Sequence, residues 1–553
     1  MKEIQQIYSP ESRPVRIMQF GEGNFLRAFV DYAVDVANEE NSLDANVAIV
    51  IPIAGERPQF AAQKNLYTVC LRGQQEGAPY KENRVVKCVD RVLSAYADYD
   101  AYMQLAELDT LRFVVSNTTE AGIIFDPACA LADRPPKAFP AKLTQFLYAR
   151  FQHYSGAADK GLHMLPVELI ENNGQELRRC VLEYVKLWSL PADFAAWLDT
   201  ACSFADTLVD RIVVGYPRAE AAAYEEELGY RDALLNQAEP FSLWVIGNEK
   251  IAAELPLASS KFHTIFTSDV VKYKERKVRI LNGAHTSMVL GAYLAGLDYV
   301  GDCMKDPVIR RQLDQSVYDE IIPTVHLPEA ESRAFAAAVF ERFENPFVHH
   351  ALLSISLNSI SKWRARVLPS FKDSLTNTGK LPKWLTYSLA ALLAFYHTTE
   401  QGENCLIGHR GADSYEIHDD ADKLERLAAW AALPDSEYVH NALAAEDFWG
   451  EDLTQIAELE AKLLEHFERI GAVGAKAQRW RQNSFKSSRR TTPPSRSRTL
   501  RRARRSRWGT PPTRHRQRYL RDTRWRSAPS IWARTCSSTA SPSARHGVTS
   551  PSA

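Results

Sequence analysis

The sequence predicts an α/β fold: a Rossmann-like amino-terminal domain, then an all-α domain, with a basic tail outside both. Three observations carry this. Short apolar, β-prone runs alternate with helical stretches over the first half, the order expected of a parallel sheet wrapped by helices. From about Lys272 the apolar residues recur at helical spacing with few β-branched runs. From residue 479 neither pattern continues. The expected boundaries are 1–270 for the Rossmann-like domain, 271–475 for the helical domain and 476–553 for a disordered Arg/Ser/Pro-rich tail.

The first strand is Val15-Arg-Ile-Met-Gln-Phe20, followed by Gly21-Glu22-Gly23. Apolar residues at Phe25, Leu26, Phe29, Val30, Ala33, Val34 and Ala37 then trace one face of a helix. Val47–Ile53 is an unbroken apolar run, the mark of a parallel strand covered on both faces. Further strands are expected at Arg84–Val89 and Leu111–Ser116. In the second half, helices are expected at Ser332–Phe343, Leu352–Arg366, Leu385–His397 and Leu453–Ile470.

The chain has 553 residues, 45% hydrophobic and 24% charged, with a formal net charge of -1. That excludes a collagen-like, wholly disordered or disulfide-scaffold protein and allows two or three domains. The near-neutral charge hides a division. Residues 479–553 hold nineteen Arg and one Lys against a single acid, a net of +19, which leaves -20 for residues 1–478. The tail reads either as a nucleic-acid arm or as GC-rich coding sequence read out of frame. The second reading is preferred, so nucleic acid is not an expected partner. The closest cysteines, Cys70 and Cys88, are too far apart for a zinc or redox motif, and scattered thiols point to a reducing, cytoplasmic setting. No apolar leader follows Met1, and the longest apolar run, Leu385–Tyr396, is too short to span a bilayer. No membrane association is expected.

Strand, Gly-x-Gly and helix form the arrangement that binds a dinucleotide pyrophosphate. The third glycine of the full fingerprint is replaced by Leu26, so a plain glycine turn is the alternative. No acid ends the strand at Ile53; the nearest is Glu56. The acidic-residue rule therefore does not choose between NAD and NADP. A second polar cluster, Asn117-Thr118-Thr119-Glu120, follows the strand ending at Ser116. It suits either a ligand or a helix N-cap.

The stretch from Tyr273 to Thr286 is the richest in chemistry. At the α-helical step of about 100° per residue, Lys277, His285 and Asn282 fall within one half of the helical wheel, where all three can border one cleft. Lys277 and Asn282 mark the two edges of that sector, with His285 between them. They supply a titratable amine, an imidazole and an amide donor. The alternative is a polar helix face without a catalytic role. Lys362 and Arg366, one turn apart, offer a clamp for a carboxylate, with a solvated basic face as the alternative. The neighbours His349 and His350 point apart on a helix and make no metal pair.

K-x-x-x-L-N-G-x-H at Lys277–His285, F-G-x-G-N-F-x-R at Phe20–Arg27, Ser116–Gly122 and Thr207–Ile212 resemble the long-chain polyol dehydrogenases of the mannitol dehydrogenase family. The likeness covers roughly residues 10–475. It implies metal-independent, NAD-dependent hydride transfer. Lys277 would be the general acid/base, Asn282 part of the oxyanion hole, and His285 their substrate-positioning neighbour. The cofactor would lie against Gly21, Glu22, Gly23, Asn24, Phe25 and Arg27, and against Asn117, Thr118, Thr119 and Glu120. One departure stands out: the family's second oxyanion-hole asparagine is replaced by Leu169. This favours a sugar-acid substrate over mannitol.

Overall fold

The computed structural model describes residues 1–75, 77–118, 122–259, 261–347 and 350–471. The expected tail, 476–553, lies outside them.

Six strands make one parallel sheet: β1 (Val15–Phe20), β2 (Asn46–Ile51), β3 (Val89–Ser94), β4 (Phe113–Ser116), β5 (His163–Pro166) and β6 (Ser203–Phe204). Their spatial order is β3-β2-β1-β4-β5-β6, the Rossmann arrangement. Period-two alternation explains the unbroken apolar run of β2. Val47 and Ile49 enter one core, Ala48 and Val50 the core on the opposite face. Each fully buried Val or Ile there contributes about 1.5–3 kcal/mol.

Arg84–Val89 is not one strand. It spans the end of Ala78–Val86, which pairs antiparallel with Tyr67–Gln75, and the first residue of β3. The break has a local cause. The Lys87 backbone N–H donates to Asp35 Oδ1 at 2.8 Å and so leaves the ladder.

A small sheet, Thr207–Asp210, Leu243–Ile246 and Thr264–Phe266, joins the two halves of the chain. Leu208, Leu243 and Val245 belong to the helical core, while Val209, Trp244 and Ile246 belong to the Rossmann core. Alternate residues of the same strands thus serve two domains.

The second half is largely helical. The expected helix at Leu352–Arg366 is two, Leu352–Ile355 and Ser359–Arg366, divided at Asn358, whose φ is +52°. A left-handed residue cannot continue an α-helix. Within this half lies a β-hairpin that corrects the all-α expectation: β7 (Leu406–Arg410) and β8 (Asp413–Ile417). Leu406, Tyr415 and Ile417 are buried in the helical core with the period of a strand. Among the described residues, no helix is long and apolar enough to cross a membrane.

Candidate active site

The glycine loop lies where the strand order reverses, between β1 and β4. Gly21 has φ +117°, and a Cβ there would meet Leu26 Cδ1 at 2.9 Å and the Asn117 carbonyl oxygen at 3.2 Å. Asn117 returns the contact, its N–H donating to the Phe20 carbonyl at 3.1 Å. Gly23 is open: among the described residues no atom lies within 4 Å of a Cβ built on it. The following helix starts at Asn24 with its first N–H groups unpaired by geometry. These features fit a dinucleotide pyrophosphate: a close backbone, an open glycine and a helix N-terminus.

The other loop residues divide between roles. Glu22 forms an ion pair with Arg57 at 2.9 Å, tying the glycine loop to the segment after β2. Phe25 stacks on Phe29, centroids 4.9 Å apart. Arg27 is buried, with its guanidinium bonded to the Leu234 carbonyl and Asn24 Oδ1, both at 2.5 Å. It braces the loop from inside and does not face the open side with Gly23. The helix passes through a π-turn at Arg27–Asp31, and Arg211 takes up the Ala28 carbonyl at 2.7 Å.

Beside the glycine loop, the β4 end rests on a residue whose role sequence reasoning missed. Glu168 is buried and accepts from Ser116 Oγ at 3.1 Å, Thr118 N–H at 2.9 Å and Thr118 Oγ1 at 3.0 Å. Burial raises its pKa against the pull of these bonds. Thr118 is therefore held from below, while Asn117 is half-buried at the sheet end. Thr119 and Glu120 lie outside the described residues. The loop after Glu168 carries Leu169, 64% exposed, and Glu171, which meets Lys274 of the lysine helix at 2.7 Å. Asn173 closes the loop, its amide donating to the Pro166 and Glu168 carbonyls.

The lysine helix runs Val270–Arg276, then a π-turn at Lys277–Asn282, then Gly283–Leu294. The turn changes the phase read from an α-wheel. Lys277 and Asn282, at opposite edges of the sector on that wheel, are i and i+5, and so stack along one face of an i→i+5 turn. Lys277 Nζ donates to the Val209 carbonyl at 2.9 Å, reaching across to the small sheet. Among the described residues the Asn282 amide has no hydrogen-bond partner. Gly283 allows a close approach, since a Cβ there would lie 3.1 Å from the Arg366 carbonyl oxygen.

His285 follows on the same helix. Its ring stacks on Phe343, centroids 4.0 Å apart and planes 11° apart, and sits edge-on to His350 at 5.4 Å. Among the described residues its Nε2 is buried without a partner. Burial, then the charges of His350, Arg342 and Arg366, hold its pKa well below the ordinary value, so the ring is neutral. Lys362 donates to the Ile355 carbonyl at 2.9 Å. Arg366 is half-buried, and among the described residues its guanidinium has no hydrogen-bond or ion-pair partner. The two cations of the expected clamp thus differ: Lys362 is engaged, Arg366 is free. His349 lies outside the described residues.

Behind Lys277 stands a charge cluster that sequence reasoning also missed. Arg342 forks onto Asp210 at 2.8 and 3.1 Å and reaches Glu239 at 2.9 Å, all three buried. A signal was available: Asp210-Arg211 ends an apolar strand, where charges need partners.

A Rossmann-ordered sheet with its glycine loop at the switch point, joined to a helical domain that presents a lysine, defines a two-domain dehydrogenase. The chain belongs to the mannitol dehydrogenase family. The Rossmann-domain profile of that family matches residues 15–259 and its carboxy-terminal-domain profile residues 269–471. Altronate oxidoreductase of Yersinia enterocolitica is 44% identical over 475 residues, spanning 84% of this chain and 96% of that protein. The Klebsiella pneumoniae altronate oxidoreductase is 46% identical over 455 residues, 81% of this chain and 92% of that protein. Among solved structures, a D-sorbitol dehydrogenase in substrate-free form shares the fold with a TM-score of 0.71 at 20% identity, covering 86% of this chain and 100% of that one. Pseudomonas fluorescens mannitol 2-dehydrogenase, solved as a ternary complex with NAD and D-mannitol, aligns with a TM-score of 0.59 at 22% identity, over 86% of this chain and 95% of that one. The chain is an oxidoreductase acting on CH–OH groups.

Proposed function

We propose that this chain catalyses the reversible, NAD-dependent reduction of D-tagaturonate to D-altronate in hexuronate catabolism, in the cytoplasm. The observation that carries the reading is Arg366: a half-buried guanidinium, unpartnered among the described residues, on the helix that packs against Gly283, two residues before His285. A neutral ketose has no charge to place there, whereas a uronate carboxylate does. The name altronate oxidoreductase, carried by the 44–46% identical relatives, supports the altronate member of that pair.

NAD held on the Gly21–Gly23 loop, with Asn117 beside it, would supply or accept the hydride. The chain's own residues do the rest. Asn282 donates to the substrate oxygen as negative charge develops on it. Lys277 Nζ, already pointed by its bond to the Val209 carbonyl, gives that oxygen a proton in reduction and takes it back in oxidation. Neutral His285 offers Nε2 to a substrate hydroxyl. The balance is one hydride and one proton added to the ketone, with Lys277 re-protonated from water. No protein metal ligand enters this scheme.

The test is NADH consumption across tagaturonate, fructuronate and fructose. Tagaturonate is expected to be preferred, and Lys277→Ala to lower kcat by about 10²–10⁴-fold. Equal turnover of all three ketoses, or activity surviving the substitution, refutes the proposal.

A further inference from the structure

The β7–β8 hairpin carries a second cluster of chemistry that the dehydrogenase reaction does not use. Its register pairs Leu406 with Ile417 and Ile407 with Glu416. One step further, Cys405 stands opposite His418. Alternation sends Leu406, Tyr415 and Ile417 into the helical core, and sets Cys405, Glu416 and His418 together on the other face. The donor atoms of these three side chains all lie within 4.8 Å of one another.

We propose that this face is a binding site for one thiophilic divalent ion of the zinc type, held by Cys405 Sγ, a Glu416 carboxylate oxygen and a His418 ring nitrogen, with water as fourth ligand. A tetrahedral ion at about 2.3 Å from sulfur and about 2.0–2.2 Å from nitrogen and oxygen needs donors roughly 3.5 Å apart. Binding would require rotation of the two exposed side chains, Glu416 and His418, to bring the donors from within 4.8 Å to that spacing. His418 Nε2 and Glu416 Oε2 already meet at 2.9 Å. Backbone geometry fixes the third donor: the chain folds over Cys405, with the Gly402 N–H donating to the Cys405 carbonyl at 2.9 Å. A Cβ on Gly402 would lie 2.7 Å from Cys405 Sγ, so only glycine allows this cover. The sulfur is thereby shielded on the Gly402 side, with donor atoms of Glu416 and His418 within 4.8 Å. Burial and then the Glu416 and Glu403 carboxylates raise the Cys405 thiol pKa, so a bound cation must displace the thiol proton. One thiolate, one imidazole and one carboxylate select zinc or cobalt over calcium or magnesium, which prefer all-oxygen shells.

The site would act as a staple. The inner face of the hairpin packs Tyr415 on Tyr293, centroids 5.0 Å apart, and Arg410 donates to the Tyr293 and Leu297 carbonyls at 3.2 and 3.0 Å. Tyr293 lies at the end of the lysine helix. Metal on the outer face would lock the hairpin that caps that helix. The chemistry at Lys277 stays metal-free in this proposal, so the two assignments stand or fall separately.

The experiment uses the full chain, stripped with a chelator and titrated with Co2+ and then with Zn2+ against a chromophoric competitor. One equivalent is expected to bind, with Kd below about 1 μM and a thiolate-to-cobalt charge-transfer band displaced by zinc. Cys405→Ser removes the band, and His418→Gln or Glu416→Gln, at exposed positions, weakens binding by more than about tenfold. Binding weaker than that Kd, a cobalt spectrum without the thiolate band, or a band that survives Cys405→Ser each overturns the proposal. Circular dichroism of the metal-free variants separates ligand loss from misfolding.

Discussion

Replacing Arg342 by Met is expected to destabilise the protein strongly at pH 8 and much less at pH 5. The side chain lies at the seam of the two domains, 7% exposed, between Asp210 at 7% and Glu239 at 2%. Removing one partner of a buried ion pair costs about 3–5 kcal/mol, because the charge left behind keeps its desolvation penalty. Here two carboxylates lose the same cation. Burial raises the pKa of Asp210, but Arg342 and then Lys277 outweigh it and bring the net value down. Glu239 is raised by burial even with Arg342 present, and Asp210 adds to that rise. Without Arg342, Lys277 still attends Asp210, so Glu239 is the group that takes a proton. A carboxyl with a raised folded pKa favours the folded state below its unfolded value, about 4.3, and loses that contribution as pH rises through the folded value. The deficit of Arg342→Met therefore shrinks toward acid. In thermal unfolding, about 3–5 kcal/mol corresponds to a fall of roughly 3–5 °C, because the two domains form one compact unit of about 470 residues. Adding Glu239→Gln should recover part of the loss at pH 8 and little at pH 5. A deficit below about 1 kcal/mol, or one unchanged between the two pH values, refutes the reasoning.

Arg366→Ala should raise KM for a uronate by about 10–100-fold, the worth of a charged hydrogen bond, and leave turnover of fructose unchanged, as steady-state kinetics on both substrates would read. Gly21→Ala is expected to cost about 1–3 kcal/mol and to weaken NADH binding, measurable by fluorescence titration, because its φ of +117° and the Leu26 contact both resist a Cβ. His285, held neutral by burial and surrounding cations, should show no titration between pH 6 and 8 in NMR of the imidazole signals. Truncation after Gln478 should leave NADH oxidation intact, and loss of activity would return the tail to consideration as functional sequence.

β1 and β2 were legible because burial on both faces of a parallel sheet leaves an apolar run that little else produces. The lysine cluster was legible as a set of residue types, but its phase was not. A π-turn has no composition of its own, and it moves Asn282 over Lys277 where an α-wheel separates them. The hairpin at Leu406–Ile417 was hidden because its alternation is short and lies among helices. The strand expected at Arg84–Val89 failed for a different reason: one side-chain acceptor, Asp35, captured the Lys87 N–H. Glu168 and Arg342 were invisible for want of distance information, since their partners lie 50 residues and more away in the chain.

The small sheet between the domains has a mechanical consequence. Its strands lend Leu208, Leu243 and Val245 to one core and Val209, Trp244 and Ile246 to the other. Rotating one domain against the other would twist these strands and open both interiors to water at once. Any hinge motion about these strands therefore disturbs two cores rather than one.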